Sequence, residues 1–105
     1  MPYALRVAEN ENVFRRVNER VEELRGGDAV ISFVCECADL DCRERIDLTA
    51  AEYEHVRAAP TRFVVRPGHE RPSVERVVRR AGHYLVIEKQ GEAGEAAAAD
   101  DPRNS

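Results

Sequence analysis

The segment ISFVCECADLDC (residues 31–42) contains all three cysteines of this 105-residue chain, in the spacing C-x-C-x4-C. Its first half largely alternates between apolar and polar residues, a pattern that is typical of a β-strand with one buried face. On that face we expect Ile31, Phe33, Cys35 and Cys37. Ser32 and Glu36 are expected on the opposite face. The segment therefore predicts a strand that leads into a cluster of thiols.

The spacing of the cysteines favours a metal site. Cys35 and Cys37 point the same way, but such positions in a regular strand are about 7 Å apart, whereas two sulfurs on a tetrahedral zinc ion are about 3.8 Å apart. The backbone must therefore depart from an extended strand between these two cysteines. Asp39 and Asp41 favour a turn that returns Cys42 toward the other two cysteines. In a reducing compartment, clustered cysteines bind metal more often than they form disulfides. We predict one Zn²⁺ ion bound by all three thiolates.

The fourth ligand is expected from a distant segment, where three histidines are available. His69 follows Pro67 and Gly68 in a loop that leaves its ring free to turn toward a metal, and it is the predicted ligand. His83 is the alternative histidine, and a carboxylate or a water ligand also remains open. A Cys3His site has a protein ligand at every position, which is typical of structural zinc. Inert buried thiols, or an iron–sulfur centre in place of zinc, would also account for the cysteines.

Periodicity predicts a first helix in NENVFRRVNERVEELRGG (residues 10–27). Apolar residues recur at intervals of three and four, which is typical of an amphipathic helix with this stripe turned toward the core. The stripe consists of Phe14, Val17, Val21 and Leu24. Asn10 or Asn12 is expected to cap the start of the helix, and Gly26 to end it.

The second helix is predicted from a capping box, in which Thr49 and Glu52 each satisfy a backbone N–H group of the other. Pro60 is expected to end this helix. Extended segments are predicted at residues 43–48, 61–66, 73–80 and 83–89, and the last two are expected to form a hairpin. The predicted fold is α+β, with a small antiparallel sheet of three to five strands, two helices and a stapling zinc ion.

Composition divides the chain into two parts. Residues 1–90 are predicted to form a single α+β metal-binding domain, because all the large apolar residues lie there. Residues 91–105 contain no apolar residue larger than alanine and are predicted to be a disordered acidic, alanine-rich tail. This tail carries most of the net charge of −4, so the charge of the remainder indicates no particular partner.

The region between residues 57 and 80 is rich in arginine. One interpretation is a surface that contacts an unknown protein partner or nucleic acid. Its residues would be Arg62, Arg66, Arg76, Arg79 and Arg80. The other interpretation is a sheet face that meets water, since these arginines alternate with apolar residues.

Nothing in the sequence combines a nucleophile with a base, and no glycine-rich phosphate loop is present. We therefore expect a zinc-binding module for protein or nucleic acid rather than an enzyme. The alternative is a thiol- and zinc-based redox switch. Without an apolar signal segment or a membrane-spanning stretch, we expect a cytoplasmic protein.

Several segments resemble a group of small proteins of unknown function from high-GC bacteria. The similar segments are FRRVNERVEEL, FVCECADLDC and IDLTAAEYEHVRAAPTRFVVRPGHE, and they extend over nearly the whole chain. The resemblance implies no activity, substrate or partner. It implies that the three cysteines and His69 belong to one pattern.

Overall fold

A computed structural model of the chain describes residues 3–25, 27 and 29–103. In these residues the elements follow in the order α1 (Tyr3–Arg25), β1 (Ile31–Val34), β2 (Arg45–Leu48), α2 (Ala50–Arg57), β3 (Arg62–Val65), β4 (Glu75–Arg80), β5 (Leu85–Lys89) and α3 (Gly91–Ala99). The predicted α+β class is confirmed. The strands divide between two antiparallel sheets, however, one formed by β1 and β2 and the other in the order β3-β5-β4. No helix in the described ranges is both long and apolar enough to cross a membrane.

The core contains residues from both sheets and from α2. Ile31, Phe33, Cys35 and Cys37 are each at most 2 % exposed, as the alternation predicts, whereas Ser32 is exposed. The Phe33 ring stacks on a tyrosine of α2 with the ring centroids 4.3 Å apart. The buried face of β1 therefore anchors the segment that carries the cysteines.

Short sequence patterns, the capping box and the alternation in residues 73–89, predicted α2 and the hairpin correctly. The hydroxyl of Thr49 accepts a hydrogen bond from the Glu52 backbone at 3.1 Å, and the Glu52 carboxylate accepts one from the Thr49 backbone at 2.8 Å. β4 and β5 pair in antiparallel register, with a shift between Val77 and Arg79 that leaves one residue bulged. These features depend on residues that are close in sequence.

The orientation of α1 differs from the prediction. The helix begins at Tyr3, so Asn10 and Asn12 lie inside it and do not cap it. The predicted apolar stripe is not the buried one, since Val17 is 41 % and Leu24 is 66 % exposed. The buried side chains of the core-facing side include Glu11, Asn12, Arg15 and Asn18. The proposed end at Gly26 lies outside the described residues.

Arg15 and Asn18, on the buried polar face of α1, have partners from distant segments. Arg15 donates to the carbonyl oxygens of Pro60, at 2.6 Å, and Ala97, at 2.7 Å, and its guanidinium lies over the Phe63 ring. The Asn18 side-chain amide donates to the Val34 carbonyl oxygen at 2.7 Å and accepts from the Val34 N–H at 2.8 Å. The amide thus replaces the hydrogen bonds that a neighbouring strand would form with Val34. Buried polar groups are tolerated when they are paired in this way.

The prediction of a disordered tail is wrong for Gly91–Ala99, which form α3. The helix packs against α1 and β5, and its Ala93, Gly94 and Ala97 are buried. Small side chains allow this close approach: a Cβ atom at Gly94 would lie 2.9 Å from the Lys89 carbonyl oxygen. A lack of large apolar residues therefore does not prevent this segment from packing.

Candidate metal centre

The three cysteines lie in the loop that connects β1 to β2. Cys35 and Cys37 follow β1 directly, and a turn then returns the chain to Cys42. In that turn the Cys42 N–H donates to the Asp39 carbonyl oxygen at 3.0 Å, and the Asp41 N–H donates to the Asp39 carboxylate at 2.9 Å. An aspartate that binds the backbone two residues later is typical of such turns.

A second turn, between β3 and β4, presents the histidine. The His69 N–H donates to the Arg66 carbonyl oxygen at 3.0 Å, with Pro67 and Gly68 at the two central positions. Gly68 has a φ angle of +92°, which matches the third position of a type II turn and is easily adopted only by glycine. This turn fixes the direction in which the histidine leaves the backbone.

The two turns bring together the four residues that the sequence predicted. The Nδ1 atom of His69 lies 3.5 Å from the sulfur of Cys35 and 3.6 Å from that of Cys42. One ligand atom from each of Cys35, Cys37, Cys42 and His69 lies within 4.8 Å of all the others. Around a tetrahedral zinc ion, sulfur and nitrogen ligands are roughly 3.6 Å apart and two sulfurs about 3.8 Å. The cluster therefore has a size that one metal ion can span.

The other two histidines lie elsewhere. The Nε2 atom of His83 is 2.8 Å from the Asp47 carbonyl oxygen, and His55 is on an exposed part of α2. Within the described ranges, neither belongs to the cluster. His83 is thus not in place to act as the alternative ligand.

Backbone hydrogen bonds surround the sulfurs. The Arg66 N–H donates to the Cys35 sulfur at 3.3 Å. Burial raises the pKa of Cys42 above its ordinary value, and a backbone hydrogen bond from Glu44 opposes this shift. Donors of this kind stabilise a thiolate over a thiol. The backbone donors therefore offset part of the effect of burial on the thiols.

The pKa values of Cys35 and Cys37 shift in opposite directions. A hydrogen bond between them, together with burial, raises the pKa of Cys35 above its ordinary value. The same hydrogen bond lowers the pKa of Cys37 to about 5. Of the pair, Cys37 is the thiol that loses its proton more easily, and binding of a divalent ion would release the thiol protons that remain.

Glu36, which lies between two of the cysteines, is a residue of this region that the sequence did not reveal as important. It is on the face opposite the cysteines, as expected, but it is fully buried. Its carboxylate accepts hydrogen bonds from Asn18, Tyr53 and the Val64 backbone at 2.9, 2.8 and 3.0 Å, and burial raises its pKa. Its backbone N–H also donates to the Val64 carbonyl oxygen at 2.9 Å. Glu36 therefore joins the two sheets beside the candidate metal centre.

The five arginines of the predicted contact surface do not form one uniform patch. Arg62 and Arg76 both pair with the carboxylate of Glu88, at 3.0 and 3.1 Å. Arg66 donates to a backbone carbonyl oxygen, whereas Arg79 and Arg80 are exposed. Part of the positive charge is thus balanced within the chain.

Comparisons with known proteins identified no relative: no protein-family model, curated protein or solved structure matches the chain.

Proposed function

We propose that the protein binds one structural zinc ion through Cys35, Cys37, Cys42 and His69. The observation that carries this proposal is the convergence of three sulfurs and one imidazole nitrogen within 4.8 Å. Thiolate and imidazole ligands in a tetrahedral arrangement are typical of zinc, whereas iron–sulfur clusters usually take four thiolates. With four protein ligands no position is left for a substrate or a reactive water, which favours a structural role over catalysis.

The ion would connect two parts of the fold. Its cysteine ligands lie in the β1–β2 loop, and its histidine ligand lies in the β3–β4 loop, so the two sheets would be linked through one metal. Structural zinc can contribute on the order of 10 kcal/mol of apparent folding free energy. A chain of this size buries a modest fraction of its surface, and the ion would therefore make a large difference to its stability.

In this proposal the zinc-stabilised fold is a binding module, with a protein as the preferred partner. Nucleic acid is disfavoured by the net charge of −4 and by the Glu88 carboxylate that neutralises part of the arginine surface. Binding to duplex DNA and single-stranded RNA, measured by fluorescence anisotropy at several salt concentrations, separates the two partners. We expect no salt-dependent binding. Affinity that falls with salt and is lost in Arg79→Ala, Arg80→Ala would instead assign a nucleic-acid partner.

A redox switch is the second candidate, because the cluster is accessible from one side. Cys35 and Cys37 are buried, but Cys42 and His69 are half-buried. In this reaction two zinc-bound thiolates form a disulfide, hydrogen peroxide takes up the two electrons and two protons to give two waters, and Zn²⁺ is released. A colorimetric zinc indicator should report release under mild peroxide and reuptake after reduction. Full retention of zinc by the folded protein would exclude the switch.

A further inference from the structure

A cleft separate from the metal centre lies where α2 packs on the three-stranded sheet. Its volume is about 190 Å³, and none of the four metal-cluster residues lines it. Val56, Tyr84 and Val86 line the cleft and are each at most 5 % exposed, so its floor is apolar. His55 and Arg79 also line the cleft, and both are exposed. An apolar floor with a few polar groups at its edge is typical of small-molecule sites.

The bulge in β4 helps to form this cleft. In a regular strand, consecutive residues point to opposite faces, yet both Val78 and Arg79 line the cleft. The pairing of β4 with β5 shifts between Val77 and Arg79, and a bulge of this kind redirects side chains. The irregularity thus adds an apolar wall and a guanidinium to the same site.

Two hydrogen-bond donors at the cleft have no partner among the described residues. In the part of the chain that the structure describes, Arg79 forms no ion pair and the Tyr84 hydroxyl forms no hydrogen bond. Arg62, by contrast, is paired with Glu88 at 3.0 Å. Tyr84 is only 3 % exposed, but its hydroxyl is not fully enclosed, so a ligand oxygen at the cleft could accept a hydrogen bond from it.

We propose that this cleft binds a small carboxylate with an apolar body, such as an aromatic acid. A cavity of about 150 Å³ can hold benzene, so the larger volume here has room for a ring and its carboxylate. The planar fork of Arg79 matches the two oxygens of a carboxylate, while the Tyr84 hydroxyl can donate to one of them. Glu52 also lines the cleft, and its negative charge favours a singly charged carboxylate over a doubly charged phosphate ester. This proposal is independent of the zinc site.

The test is a titration of the full-length, isotope-labelled protein with sodium benzoate, followed by amide chemical shifts. We expect saturable shifts at Val56, Val78, Arg79 and Val86. Arg79→Ala should weaken binding by about tenfold or more, since hydrogen bonds to charged groups are among the stronger ones. Tyr84→Phe, which removes only the hydroxyl, should weaken binding by a smaller factor.

Two controls make the titration specific. Arg80→Ala removes the neighbouring arginine, which does not line the cleft, and should leave the affinity for benzoate unchanged. Benzyl alcohol, which keeps the ring but lacks the charge, should bind much more weakly than benzoate. The proposal is overturned if no saturable shifts occur at the cleft, if Arg79→Ala and Arg80→Ala bind benzoate equally, or if benzyl alcohol binds as well as benzoate.

Discussion

At the scale of single residues, α1, β4 and β5 each contribute one charged side chain to a buried cluster. The ammonium group of Lys89 contacts the carboxylates of Glu11 and Glu75, and all three side chains are fully buried. Two carboxylates facing one ammonium would leave an uncompensated negative charge in the interior, which is costly. Burial raises the pKa of Glu11 well above its ordinary value of 4.5, and we therefore expect Glu11 to keep its proton at pH values where the unfolded chain loses it.

Replacing Glu11 with glutamine should therefore remove a pH dependence of stability. Because the folded-state pKa is raised, the stabilising contribution of Glu11 is complete below pH 4.5 and is lost as the pH rises toward the folded-state pKa. We expect Glu11→Gln to match the wild type in acid and to become relatively more stable with rising pH, by up to about 1.4 kcal/mol per pH unit. Urea unfolding at a series of pH values measures this difference, and a difference that does not change with pH would contradict the proton assignment.

Gly68 is the residue that determines the turn before His69. With a φ angle of +92°, an alanine at this position should cost roughly 1–2 kcal/mol and weaken zinc binding by moving the imidazole. Gly82 is the matched control, because its φ angle is not in the left-handed region and no atom lies within 4 Å of the position that a Cβ would take there. Competition with a zinc chelator should show weaker binding for Gly68→Ala than for Gly82→Ala; equal binding would show that the turn does not position the ligand.

At the scale of elements, the sequence predicts features that depend on neighbouring residues better than features that depend on residues far apart in the chain. The Thr49–Glu52 capping box and the cysteine turn depend on neighbours, and the sequence indicated both. His69 could be selected because a Pro-Gly turn placed it in a loop. The buried face of α1 could not be predicted, since the partners of Glu11 and Arg15 come from distant parts of the chain. When a helix is considered alone, its apolar stripe is the side that is expected to face the core.

The docking of α3 gives a prediction that separates a packed helix from a disordered tail. In a disordered segment, Gly94→Ala would be neutral. In the packed helix the added Cβ would lie 2.9 Å from a backbone oxygen of Lys89, and overpacking of this kind typically costs about 1–3 kcal/mol. Glu95→Ala changes an exposed neighbour and should have little effect. Thermal unfolding of the two variants measures the contrast, and equal melting temperatures would contradict the packing of α3.

At the scale of the whole molecule, several kinds of interaction connect the two sheets. Glu36 pairs with the edge of β3, the apolar core includes residues of both sheets, and in our proposal zinc links the two loops. If the metal has this role, chelation should lower the melting temperature and reduce cooperativity while leaving the Glu36 contacts in place. A protein that unfolds identically with and without chelator would not need the ion for its architecture.

The most direct test of the zinc proposal is the metal stoichiometry of the purified protein, measured by native mass spectrometry on the wild type, His69→Ala and His83→Ala. We predict one zinc ion per chain for the wild type and for His83→Ala, and a clear loss of zinc for His69→Ala. A wild-type chain that takes up no metal from zinc-containing buffer, or a His69→Ala variant that retains zinc as firmly as His83→Ala, would contradict the Cys3His site.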